Sequence, residues 1–198
     1  MASRKTSSPR RRPKGDKRER TRTALLEAAR AIVREEGYER TTLAKVAERA
    51  GMTTGAIYGN FRNRDELFVA LGEAYWPPVA PVIKPDATFA QAMRAFARAT
   101  IAAVDERAPV AVGRLTGMAY ALTHEELRER VVDVTRTSYG LGAEWLRRFD
   151  AAELPMPRAQ LVRVLHALIE GLVLQRILTP ELCPDEVFYA AFGALARR

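Results

Sequence analysis

From Arg22 to the C-terminus apolar residues recur every three or four positions, and no stretch shows the every-second-residue alternation of a half-buried strand. A chain patterned that way is all-α. Leu25, Ala29, Ile32 and Val33 form a first stripe, which Gly37 ends as the residue after a helix C-cap. Thr42 stands as N-cap of a second helix with inner face Leu43, Val46, Ala47 and Ala50. Only Gly51, Met52 and Thr53 separate it from a third segment, Thr54 to Phe61, where Ile57 and Phe61 lie four apart. Asn63 with Glu66 reads as a capping-box variant that opens a fourth helix, with Leu67, Phe68, Leu71 and Tyr75 inward. Pro77, Pro78, Pro81 and Pro85 then break the pattern and mark a domain junction.

The second half uses longer elements. Thr88 with Gln91 is a capping box for a helix to about Glu106, and Pro109 to about Leu122 is a shorter helical stretch containing Gly113 and Gly117. Thr123 with Glu126 is read as another capping box, opening a helix with Leu127, Val131, Val134, Ser138, Leu141, Trp145 and Phe149 on one seam. Pro157 fits the first position of a helix ending at Thr179, and Pro184 starts a last one. Residues 161–178 are long enough to span a bilayer, but Arg163, His166, Glu170, Gln175 and Arg176 make insertion prohibitive. Their apolar residues cover more than one face, as expected of a helix at an oligomer interface.

Composition narrows the function classes. Apolar residues make up 47% of the 198, which supports a core and excludes a wholly disordered chain. The single Cys183 excludes an internal disulfide, and with only His124 and His166 beside it no zinc motif can be written. No cofactor or metal is expected. No Gly-rich phosphate loop, P-loop or nucleophile elbow is present, and Glu125–Glu126 and Asp185–Glu186 read as helix-start charges, so the chain is not expected to be an enzyme.

The charge is segregated. Residues 1–22 carry ten bases and two acids, net 10 − 2 = +8, which is the whole excess of the chain. Residues 1–20 are too polar to offset the entropy of ordering and are expected to form a disordered basic arm. Such an arm tracks phosphates or enters a minor groove, or else is a solvated or targeting tail. It has no apolar core of the kind a secretory signal needs, so a cytoplasmic, nucleoid-associated location is expected, with no membrane partner.

Two short helices joined by a Gly-containing turn form a helix-turn-helix corner, which can also be a plain structural hairpin. The residues from Thr41 to Phe68, TTLAKVAERAGMTTGAIYGNFRNRDELF, resemble the TetR/AcrR family of bacterial transcriptional regulators. The resemblance is close over residues 21–76 and continues beyond them in helix order and length. It implies a three-helix helix-turn-helix DNA-binding domain over 21–76, followed by an effector-binding and dimerisation domain over 77–198. The implied function is a repressor that binds double-stranded DNA at a palindromic operator as a homodimer and is released by a small, mostly apolar effector. A non-specific or architectural DNA binder is the alternative that the basic arm supports.

The residue chemistry agrees. Thr53 and Thr54 begin the short third helix, where free N–H groups and hydroxyls favour phosphate or base edges. Gly55 permits close approach to the groove. Tyr58 can reach a phosphate with its hydroxyl, and Asn60 carries an amide fork. Thr42 either aims a helix N-terminus at the backbone or only caps. Arg64 stands where the family usually has a phosphate-holding Lys. The chain departs from the family at Gly59 and Asn60, where an aromatic residue followed by His is common. Residues 23–76 hold seven bases and eight acids, so a role for the arm in binding follows.

In the second domain Met93, Phe96, Met118, Tyr120, Tyr139 and Trp145 could line an effector pocket, with Arg114, His166 or Glu170 orienting a polar group. For each apolar one core packing without a ligand is the commoner role, and a histidine such as His166 is more often a satisfied interface or core residue than a ligand contact. Trp76 would either sense hinge motion or plug the junction. For the dimer, a four-helix bundle from 157–179 and 184–197 of each subunit is expected, through Leu161, Leu165, Leu168, Leu172, Phe188 and Phe192.

Overall fold

The computed structural model describes residues 14–196, with side-chain environments from Lys17 onward. Among the described residues the secondary structure is helical throughout, without strands. The chain packs as two compact units that divide between Leu67 and Phe68. That division falls inside a helix, ahead of the break that the prolines suggest.

The first unit contains α1 (Lys14–Glu36), α2 (Leu43–Arg49), α3 (Thr54–Tyr58) and the start of α4 (Arg64–Tyr75). The arm expected to be disordered over 1–20 is helical from Lys14, and residues 1–13 lie outside the described residues. Further along, the Arg22 guanidinium lies 4.6 Å from the Phe61 ring centre and donates to the Asn60 carbonyl at 3.2 Å, which holds this basic stretch to the unit. Leu25, Ala29, Ile32, Val46, Ile57 and Phe61 are almost fully buried, as their spacing indicates.

Local chemistry sets the corner. Gly37 ends α1 with φ +85° and donates to the Val33 carbonyl at 2.9 Å. Buried Thr41 bonds back to the Gly37 carbonyl at 2.9 Å. Thr42 caps α2 by accepting from the Lys45 N–H at 3.2 Å. At the other end Gly51, with φ +64°, donates to the Glu48 carbonyl and the Met52 N–H to the Ala47 carbonyl, the paired bonds of a Schellman stop.

The second unit contains the rest of α4, then α5 (Phe89–Arg107), α6 (Ala111–Thr123), α7 (Glu125–Trp145), α8 (Arg158–Leu178) and α9 (Asp185–Leu195). The Thr88–Gln91 box is present with both bonds, at 3.2 and 2.9 Å. Its expected counterpart at Thr123 is not. Thr123 is still the last turn of α6, so its hydroxyl donates to the Tyr120 carbonyl at 2.9 Å and His124 takes the N-cap position of α7. Phe89, Met93, Leu146, Phe149, Leu161, Leu165, Phe188 and Phe192 form the main core. Arg158 closes the α7–α8 connection by donating to the Leu146 and Phe149 carbonyls.

Two expectations are corrected here. On α7, Leu127 is buried, but Val131, Val134 and Leu141 are exposed, Leu141 by 70%. The helix instead turns Ser138, Tyr139, Gly142 and Ala143 inward. A Cβ on Gly142 would lie 3.1 Å from a Val162 methyl, so α7 meets α8 through its small residues. For the dimer, Leu161, Leu165, Phe188 and Phe192 are spent on the chain's own core and leave no surface for a partner, while Leu168 and Leu172 are half-buried. The outward stripe of α8 is Val164, Ala167, Gly171 and Leu178, and that of α9 includes Val187, Ala190 and Ala194. Among the described residues no helix is long and apolar enough to cross a membrane.

Candidate nucleic-acid interface and effector residues

The second helix of the corner is short and mostly exposed. Thr53 caps α3 by accepting from the Ala56 N–H at 3.3 Å, which leaves its hydroxyl proton free to donate elsewhere. Thr53, Thr54, Gly55 and Tyr58 all face solvent, Tyr58 by 57%, while Ile57 alone of the helix is buried. Gly55 has no internal reason to be glycine. Its φ is not positive, and a Cβ there would meet only the Thr53 Oγ1 at 3.9 Å. Thr42, at the start of α2, is also exposed.

Asn60 and Arg64 are placed differently. The Asn60 amide nitrogen donates to the Ala56 carbonyl at 2.8 Å, and its Oδ1 is buried without a hydrogen-bond partner. Its amide is turned inward as a stop for α3, which replaces the outward fork expected of it. Arg64 opens α4 and donates to the Glu39 carbonyl at 3.3 Å, so it braces the loop before α2. Asn63 accepts from the Glu66 N–H at 2.9 Å, while Glu66 reaches back to the Arg62 N–H at 2.8 Å, one residue before the donor that a standard box uses.

The bases of α2 are neutralised within the unit. Arg49 makes a two-point pair with Glu35, at 2.5 and 2.7 Å, and Lys45 meets Glu36 at 2.7 Å. The Arg49 hydrogen bond holds the Glu35 carboxyl below its ordinary range, and Glu35 raises Arg49 in turn. Sequence reasoning does not find these pairs, because partners fourteen and nine residues apart on two helices leave no local pattern.

In the second unit the expected effector residues fall into separate places. Met93 is fully buried in the core; Phe96 packs edge-on to Trp145 at 5.6 Å and stacks on Phe192 at 6.2 Å. Tyr120 lies between Phe68 and His124, Tyr139 meets the His166 ring at 5.4 Å, and Met118 is 45% exposed. Arg114 pairs with Glu170 at 3.5 Å. Two open surface clefts of the unit lie elsewhere: about 350 Å³ beside Leu154, Met156 and Arg158, and about 270 Å³ beside Arg94, Tyr189 and Gly193. Sequence reasoning also misses Arg107. It is 4% exposed, contacts Glu170 at 3.3 Å and lies over the Trp76 ring at 4.6 Å. Trp76 itself is held by Glu170, which gives it a defined bond in this unit.

Residues 25–71 match the family model described as bacterial regulatory proteins, tetR family. The HTH-type transcriptional regulator TtgR of Pseudomonas putida is 51% identical over 51 residues, 26% of this chain and 24% of that protein. The HTH-type transcriptional repressor AcnR of Corynebacterium glutamicum is 36% identical over 69 residues, 35% of this chain and 37% of its own length. The chain therefore spans only about a quarter to somewhat over a third of the length of these relatives. A solved structure described as a SmeT–triclosan complex matches over 90% of this chain and 92% of its own, with TM-score 0.58 and 24% identity. That likeness extends the shared fold over the second unit.

Proposed function

We propose that this chain, whose residues 25–71 match the tetR family model, is a sequence-specific transcriptional repressor of the TetR/AcrR kind acting as a homodimer on a palindromic operator. The observation that carries this reading is the exposed surface of α3. Thr53, Thr54 and Tyr58 present hydroxyls around Gly55, whose missing side chain serves nothing inside the fold. Hydroxyls beside bare backbone are what close contact with phosphates and base edges requires. Thr42 flanks that surface, and Arg64 and Asn60 position the elements that bear it.

The dimer in this proposal uses the same two helices that the sequence suggests, through other residues: Val164, Ala167, Gly171 and Leu178 of α8 with Val187, Ala190 and Ala194 of α9. Small residues permit the close crossing of a four-helix bundle. The effector acts by preferring a dimer whose two α3 helices no longer match the operator spacing. A related fold holding triclosan supports an effector for this unit as well.

Selection of bound fragments from a genomic library at about 150 mM salt tests the reading, since at that salt non-specific contacts weaken. An enriched palindrome supports it. Recovery of DNA without enrichment favours the architectural alternative, which the +8 charge of residues 1–22 specifically supports.

A further inference from the structure

Around Glu170 one carboxylate is shared by several donors. Its carboxylate accepts from Trp76 Nε1 at 2.8 and 2.9 Å, from Arg107 Nη1 at 3.3 Å, and meets Arg114 Nη2 at 3.5 Å. Arg107 is well engaged, because its other Nη donates to the Pro77 carbonyl at 2.6 Å. Both guanidinium groups also lie over the Trp76 ring, 4.6 and 5.6 Å from its centre. Two cations therefore face one carboxylate, beside an apolar cluster of Trp76, Ala111 and Val173.

Arg114 is the member left short. Its contact with Glu170 is long, and its Nε is buried without a hydrogen-bond partner. A guanidinium has five donors in a fixed plane, and a buried donor without an acceptor costs free energy that an acceptor recovers. His166 sits one turn before Glu170 on α8. Partial desolvation of its ring lowers its pKa, opposed by Glu170 and reinforced by Arg114 and Arg107. The charged groups facing the cluster are thus Arg107 and Arg114 against Glu170, with Glu106 of α5 acting more weakly on Arg107, and Arg114 is the cation whose partner is shared.

We propose that Arg114 anchors an anion site and that the effector carries a carboxylate on an apolar body. The carboxylate takes the unpartnered Nε of Arg114, which is buried in a side chain that is itself 28% exposed, once that side chain turns toward it, and gives Arg114 the full partner that Glu170 shares with Arg107. The apolar part lies against Val110, Leu174 and Ile177, which already pack on the Trp76 cluster. This rests on the reading of the second unit as an effector domain and names the chemical class of its ligand. Because Arg114 and Glu170 both contact Trp76, occupation alters the bond that holds the residue joining α4 to the Pro77 segment.

The test uses the full-length protein labelled with 15N at tryptophan, with the Trp76 indole resonance assigned by Trp76→Phe. Acetate, benzoate and octanoate are each titrated against acetamide, benzamide and octanamide at matched ionic strength. The expected result is that a carboxylate shifts the Trp76 resonance at about one-tenth the concentration of its own amide or less, a difference worth about 1.4 kcal/mol. Arg114→Gln abolishes the difference, and Glu170→Gln, which removes the competing anion, tightens carboxylate binding. Carboxylate and amide acting alike, or a response that survives Arg114→Gln, overturns the proposal. DNA affinity is measured on the same samples. A protein that binds the carboxylate without changing its grip on DNA keeps the anion site and loses the effector reading. A protein that binds an operator but ignores every carboxylate loses the anion site and keeps the regulator reading.

Discussion

Replacing Gly55 by alanine separates folding from binding at the proposed DNA surface. The new methyl points into open space, with the Thr53 Oγ1 at 3.9 Å its nearest neighbour, an ordinary van der Waals contact. The backbone at Gly55 needs no positive φ. Alanine therefore brings only its lower conformational entropy and better helix propensity, worth about 0.5–1 kcal/mol in a helix interior and about 0.5 in the first turn where Gly55 lies. Urea titration should show the first unit stabilised by about that amount. The same methyl occupies the space through which backbone and hydroxyls approach DNA. Removing one close polar interaction costs about 1.4 kcal/mol, or tenfold, per half-site. A dimer counts it twice, so operator affinity should fall about a hundredfold in fluorescence anisotropy at fixed salt. Gly72→Ala is the control: its Cβ also meets nothing within 4 Å, so it should stabilise without changing DNA affinity. A Gly55→Ala protein that binds its operator like the parent removes α3 from close contact. One that is destabilised shows that the space around Gly55 is not open.

The same exchange at Gly142 should have the opposite sign. The Cβ would sit 3.1 and 3.2 Å from the two methyls of Val162, and valine has little rotamer freedom to yield. Overpacking of about 1–3 kcal/mol should exceed the propensity gain and lower the thermal midpoint, and Val162→Ala should rescue it. Gly51→Ala should destabilise the corner by about 1 kcal/mol in urea titration, because its φ of +64° suits glycine. Removing residues 2–13, which hold five bases and no acid, should weaken binding to all DNA sequences alike and flatten the log K against log salt slope by about 0.9 for each phosphate no longer engaged; an unchanged slope leaves the arm no part in binding. His166 has a folded pKa below its unfolded value, so the unfolded chain takes up the proton first. Stability should be fullest above about pH 6.5 and fall as pH drops toward the folded pKa, and His166→Asn should remove that part of the fall in a pH series of thermal melts.

How much the sequence discloses depends on whether the deciding interaction is local. Caps and stops are local. Thr42, Thr53, Thr88 and Gly51 carry their signal within four residues, and each behaves as the chemistry of its side chain dictates. The Thr123 box fails for a reason equally local but invisible in composition: the helix before it continues through that residue, so the hydroxyl is already committed to Tyr120. Asn60 is similar. An amide four residues after Ala56 can face outward or bond back, and nothing in the spacing decides between them.

The face of α7 shows what periodicity misses. Large apolar side chains at 131, 134, 141 and 145 trace a convincing seam, yet close helix contact is made where side chains are smallest. Gly142 and Ser138 let α7 approach α8, and the valines and Leu141 are carried round to the exterior as a consequence. The same logic guides where the proposed dimer surface lies. The fully buried residues of α8 and α9 belong to the chain's own core, and the outward stripes, Val164, Ala167, Gly171 and Leu178 with Val187, Ala190 and Ala194, include residues small enough for a second pair of helices to cross closely in the proposed dimer. A single substitution that adds one methyl at Gly171 should for that reason weaken self-association in sedimentation equilibrium while leaving the monomer fold intact, since its Cβ meets nothing within 4 Å of the chain itself.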